Sequence, residues 1–242
     1  MMTKYQLSDR ALRCASRVAI LLGVIALAAN SAQATMVIGD AVKLSTLDRT
    51  TESLIVGDKK FDQFAYDFTG DMPPPEGVNV IPIRDDLGNL GLRFQGAFMD
   101  YVGTVGGSDA LITYRVMVLD PEKSISDAHI QGNPSVGDLA GSIIVDETFL
   151  PLGGQGEYSM KIWDEGVGTP QLIDWIYFNE AEPIKVLNVQ KDILAFAAEM
   201  SVTISFIDQT FSQTPEPGTM ILLATAGVTI CLTRRWRRRS HS

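Results

Sequence analysis

From Phe64 to Phe206 the sequence keeps returning to a period of two. Phe64, Tyr66 and Phe68 alternate with Ala65, Asp67 and Thr69, while Leu90, Leu92, Phe94 and Phe98 keep one phase. Ile112, Tyr114, Val116 and Val118 oppose Thr113 and Arg115, and Val202, Ile204 and Phe206 alternate with Thr203 and Ser205. Successive side chains of a strand point to opposite faces, so these segments suit strands with one face in a core and one in water. Turn formers separate them at Gly70 to Gly77, Gly88-Asn89, Gly106-Gly107-Ser108, Asp120-Pro121, Gly132-Asn133-Pro134, Gly153 to Gly156 and Gly168-Thr169-Pro170. Short strands between such breaks predict an all-β body, an antiparallel two-sheet β-sandwich of jelly-roll-like form. Val186 to Met200 fits either period, and a strand hairpin closing near Ala197 to Met200 is the favoured expectation.

The two ends obey different rules. Lys4, Arg10, Arg13 and Arg17 precede twelve uncharged residues, Val18 to Ala29, and then Asn30-Ser31-Ala32-Gln33-Ala34. Basic segment, short apolar segment and A-x-A site in that order predict a signal peptide over residues 1–34, with Ala32 and Ala34 at the cleavage site and Thr35 as the new amino terminus. The apolar stretch is short of the about 20 residues that cross a bilayer. No twin Arg precedes it, so the export translocase and signal peptidase are the expected partners. At the other end come Pro215-Glu216-Pro217-Gly218, an uncharged run from Thr219 to Thr233, and Arg234, Arg235, Trp236, Arg237, Arg238 and Arg239. Proline removes a backbone donor and fixes φ, so Glu216 is presented in an extended peptide open to a processing enzyme. The run would extend about 22 Å as a helix, with flanking Arg snorkelling to complete a short transmembrane helix. The Arg cluster would stay cytoplasmic. The chain therefore divides into residues 1–34, a body over 35–214 and a tail over 215–242.

This pairing of a cleavable signal with Pro215-Glu216-Pro217, a short apolar helix and terminal Arg residues resembles the PEP-CTERM sorting signal of exported bacterial proteins. The resemblance covers about residues 213–239. It implies recognition by exosortase, a membrane protease-transpeptidase, with a transient stay in the inner membrane and delivery to the cell surface, outer envelope or extracellular matrix. Many members of that family have Val before the motif and Ser or Thr after it, where this chain has Thr214 and Gly218. The stretch Ile204 to Gln213 also looks like the end of a body type that recurs among such proteins, a likeness that carries no chemistry.

Charge excludes one class of partner. Between Thr35 and Thr214 there are 11 Lys and Arg against 27 Asp and Glu, a net charge of −16. Nucleic acid, whose phosphates need neutralising cations, is not an expected partner. Cys14 and Cys231 fall in the two end segments, so the mature body has no disulfide and must be held by packing.

Motifs for chemistry are sparse. The body has one His, His129, and no G-x-S-x-G, so no nucleophile is identified for a Ser-His-Asp site, and His129 reads as a strand or loop histidine. Structural zinc wants four Cys or His ligands, which the body lacks. The adjacent acids Asp85-Asp86, Asp146-Glu147 and Asp164-Glu165 point to opposite faces of a strand, so none is by itself a glycosidase couple. Such a couple would have to come from separate strands. Asp85, Asp86 and Asn89 form the best local calcium candidate, without EF-hand spacing, and no other cofactor is indicated. Trp163, beside Asp164-Glu165-Gly166, is the candidate exposed platform for carbohydrate. Trp175, in Asp174-Trp175-Ile176-Tyr177-Phe178, reads as core. The leading expectation is an exported, non-enzymatic envelope or matrix protein with a structural or adhesive role. The alternatives are a module binding extracellular polysaccharide and a surface glycoside hydrolase.

Overall fold

The computed structural model describes residues 35–215, save 138, 154–155 and 179–182. Ala32, Ala34, Glu216, Pro217, the apolar run and Arg234, Arg235, Arg237, Arg238 and Arg239 lie outside the described residues, whereas Thr35 and Pro215 are their two ends. Among the described residues no helix is long and apolar enough to cross a membrane.

The body is a β-sandwich of two antiparallel sheets. In chain order its strands are β1 (Met36–Val37), β2 (Val42–Lys43), β3 (Leu54–Val56), β4 (Lys59–Thr69), β5 (Asn79–Arg84), β6 (Leu90–Asp100) and β7 (Ser108–Val118). They continue with β8 (Lys123–Gly132), β9 (Ser135–Val136), β10 (Ser142–Pro151), β11 (Tyr158–Asp164), β12 (Ile173–Tyr177), β13 (Val186–Phe196) and β14 (Val202–Pro215). The first sheet runs β1-β5-β6-β14-β8-β12, with β2 also on β5 and β9 on β14. The second runs β11-β10-β13-β7-β4-β3. A one-turn helix, α1 (Leu44–Leu47), buries Leu44 and Leu47 at the edge of the core.

Alternation explains most of the burial. In β7, Ala110, Ile112, Tyr114, Val116 and Val118 are buried while the residues between them are partly open. Phe211 of β14 ties the sheets together, its ring centroid 6.2 Å from Phe61 of β4 and 6.3 Å from Phe149 of β10. Aromatic pairs at such distances add to simple area burial.

Three details depart from the simple pattern. In β4 both Phe61 and Phe64 are buried although they are three apart, because the ladder with β7 shifts register between Asp62 and Ala65. Gln63 sits at φ +57° in that bulge, which absorbs one residue and returns the next aromatic to the core. Phe68, in phase with Phe64 and Tyr66, is nevertheless 43% exposed and stacks on Tyr66 at 5.5 Å. Val186 to Phe196 is a strand, but β13 and β14 do not close a hairpin. Both edges of β13 are taken by β10 and β7, so the chain crosses from Phe196 to Val202 into the other sheet.

Candidate functional site

β12 ends the first sheet and pairs along one edge with β8. Its inward residue Ile176, with Phe178 just beyond the strand, packs against the core. The outward residues Trp175 and Tyr177 are 56% and 69% exposed. The expectation that Trp175 is core is therefore corrected. Apolar density around it is real, but period two sends Ile176 and Phe178 inward and Trp175 outward. Trp163, in β11, is partly buried beside Ile144, and its backbone bridges to Gln171.

The ladder places polar groups next to the two open rings. Trp175 is opposite His129, and Tyr177 is opposite Asp127, both in β8. On the far side of β8, Thr210 of β14 is opposite His129 and Ser212 is opposite Asp127. His129 Nε2 lies 2.7 Å from Asp127 Oδ1, and the Ser126 hydroxyl donates to Asp127 Oδ2 at 3.0 Å. Burial pushes the Asp127 carboxyl up, but hydrogen bonds from His129, Ser212 and Ser126 outweigh it and hold the carboxyl below its ordinary range. Farther along the same face, Arg93 makes a bidentate pair with Asp208, at 2.6 and 2.8 Å, and lies 4.5 Å from the Phe206 ring centroid. The result is a strip of fixed donors and acceptors ending in two open aromatic faces.

This arrangement suits binding better than acyl transfer. Both Ser126 and Ser212 hydrogen-bond to Asp127 and not to the imidazole, the reverse of the order a Ser-His-Asp nucleophile requires. The adjacent acids split as alternation requires, Asp146 exposed and Glu147 buried. One carboxylate couple from separate strands does form on the outer face of the second sheet. Asp192 of β13 lies near Asp109 of β7, and its carboxyl is raised first by burial and then by the Asp109 charge. Sequence spacing could not reveal that couple, because the residues lie 83 positions apart and meet only through the β7–β13 register.

The calcium candidate is a satisfied turn. Asp85 Oδ1 accepts from the amides of Leu87 and Asn89 at 3.0 and 2.8 Å, and Oδ2 accepts from Asn89 Nδ2 and Thr210 Oγ1, both at 2.9 Å. Asp86 is exposed. Among the described residues no group of three or more His, Cys, Asp or Glu is placed to hold a metal ion. Nearby, a pocket of about 320 Å3 is lined by Asp58, Lys59, Asn89, Lys123, Phe211 and Gln213. Its charges are spent on one another: Asp58 lies 3.3 Å from Lys59 Nζ and 3.2 Å from Lys123 Nζ.

No protein-family model and no curated protein matches the chain. Among solved structures it is similar to the TmCBM61 module in complex with β-1,4-galactotriose, at TM-score 0.33 and 12% identity over 62% of this chain and 88% of that one. It is also similar to the enzymatically active domain of tailspike protein 4 of bacteriophage CBA120, at TM-score 0.30 and 14% identity over 62% of this chain. The match spans 19% of the tailspike chain. Likenesses this distant carry nothing toward ligand or activity.

Proposed function

We propose that the chain is an exported, non-enzymatic surface or matrix protein, sorted through its PEP-CTERM-like tail, whose jelly-roll-like body binds extracellular polysaccharide. The single observation that carries the binding half is the open pair Trp175 and Tyr177 at the end of the His129–Asp127 polar strip. A pyranose ring presents C–H groups on its faces and hydroxyls around its rim. A flat aromatic flanked by fixed hydrogen-bonding groups matches both halves of that chemistry. An adhesive role follows if the glycan belongs to the matrix into which the protein is delivered.

Export rests on the two end segments, and its partners are the translocase, signal peptidase and exosortase. Terminal peptides of the protein recovered from medium or matrix test it: a start at Thr35 and an end near Pro215-Glu216-Pro217 are expected. A product retaining Arg234 to Arg239 in the membrane fraction would refute the sorting reading. Native affinity gels cast with soluble neutral and acidic polysaccharides test the binding. Retardation by at least one polymer is expected, and unchanged mobility in all of them would overturn the binding half alone.

A further inference from the structure

Two ionisable side chains lie in the middle of the apolar core. Lys191 of β13 and Glu147 of β10 are directly opposed in their ladder, and both are 0% exposed. Lys191 Nζ lies 2.7 Å from Glu147 Oε1 and donates a 3.2 Å hydrogen bond to Oε1 of Gln209. Gln209 reaches in from β14 of the facing sheet, between Ile207 and Phe211, and is itself fully buried. An amine, a carboxamide and a carboxyl group thus meet across the gap between the sheets.

As a stabilising ion pair the cluster is poorly made. The Glu147–Lys191 contact is close but not aligned as a hydrogen bond. Both Glu147 oxygens, Gln209 Nε2 and the hydroxyl of Tyr114 lack hydrogen-bond partners although they are buried. Unpartnered buried polar atoms are costly, and well-packed apolar residues commonly serve a core better than such a pair. As a reaction centre the same residues are well chosen.

We propose that Lys191 and Gln209 join in an intramolecular amide, a covalent bond between the two sheets, with Glu147 as the catalytic proton-transfer group. Lys191 Nζ attacks Gln209 Cδ, forming the N–C bond, and the Cδ–Nε2 bond breaks to release ammonia. Glu147 begins as the neutral acid, gives its proton to the departing nitrogen and regains one from Lys191 Nζ, so protons balance and no oxidant is needed. The step requires a neutral amine beside a neutral carboxyl group. Burial favours that state: it pushes Lys191 down and Glu147 up, against the attraction of each for the other's charge. Exclusion of water protects the acyl centre from hydrolysis. The bond closes a loop between residues 18 apart in a body that has no cysteine to form a disulfide.

The test is mass spectrometry of the purified, folded full chain after denaturation. The expected deficit is about 17 Da, one ammonia lost to the amine nucleophile, located in a peptide that joins Lys191 to Gln209. Trypsin will not cut after Lys191, because its side chain is acylated. Lys191→Met and Glu147→Gln, each checked for cooperative unfolding, are expected to recover the full mass. Wild-type chain at full mass, cut after Lys191, would overturn the proposal whether or not the variants fold. A deficit that persists in Lys191→Met would overturn it too, and one that persists in Glu147→Gln would remove Glu147 from the reaction.

Discussion

Replacing Trp175 by Ala is the sharpest probe of the proposed binding face, and its effect follows from area. A Trp side chain offers about 250 Å2, and Trp175 is 56% exposed, which leaves roughly 140 Å2 open. A flat ligand covers one face, about half of that, or roughly 70 Å2. At about 25 cal/mol per Å2 this contributes about 1.8 kcal/mol, which weakens binding about 20-fold when removed. Affinity gels at graded polysaccharide concentration measure that ratio directly, with the urea midpoint as a check that the fold survives. Tyr177→Ala is expected to weaken binding by a smaller factor. Trp163→Ala is expected to leave it within about twofold, because that ring stands on β11 of the other sheet, partly buried beside Ile144, and not among the outward rings of β12. Loss of affinity in Trp163→Ala with none in Trp175→Ala would refute the reasoning, because the platform would then lie on the other sheet.

Three further predictions concern the fold. A Cβ at Gly91 would run into the backbone oxygen of Gln209, so Gly91→Ala is expected to lower stability by about 3 kcal/mol or more; an unchanged urea midpoint would contradict this close approach of β6 to β14. Gln63→Gly relieves a side chain held at φ +57° and is expected to stabilise by up to about 1 kcal/mol in urea titration. Asp192 has a raised carboxyl pKa in the folded chain, from burial and then Asp109, so its favourable protonation is present below the unfolded value and lost as pH rises through the folded one. Asp192→Asn is therefore expected to unfold at a higher temperature than wild type at pH 7, with the gain vanishing below about pH 4, the ordinary carboxylate range.

Strands were legible in the sequence because one buried face imposes period two wherever it occurs. Tyr114, Val116 and Ile204 could be assigned inward from that pattern alone, whereas Phe206, expected in phase with Ile204, lies under Arg93 on the outer face. The β6–β14 register shifts between Ile204 and Phe206 and sends Ile207 and Phe211 inward instead. The bulge at Gln63 was not legible, since it arises from pairing with β7, a strand more than forty residues away. Trp175 shows local pattern and local density giving opposite answers. Four consecutive apolar and aromatic residues, Trp175 to Phe178, suggested core, whereas alternation within the same four already held the correct faces. For Lys191 the difficulty was deeper. It occupies an inward phase between Val189 and Ile193, and no local rule says that a charge there will find Glu147 and Gln209. Those partners come from register across two ladders and across the gap between sheets, which only the assembled topology defines.

The same topology relates the proposed binding face, the core cluster and the last described strand. β14 runs from Val202 to Pro215, paired on one side with β6 and on the other with β8. Its last pair is Pro215 with Lys123, and proline has no further donor to offer the sheet. The described strand thus ends at the first residue of the tripeptide through which, on the proposed route, the chain is cut and attached. On the proposed route force from the attachment would enter β14, force from a polysaccharide bound as proposed would enter β12, and β8 lies between them in the ladder. Strand pairs loaded along their length must break many hydrogen bonds together. The exposed weakness is separation of one sheet from the other, which side-chain packing and scattered hydrogen bonds oppose in place of a continuous ladder. A bond from Gln209 to Lys191, six residues before Pro215, closes that weakness where the force enters, and it does so in a body that cysteine could not serve.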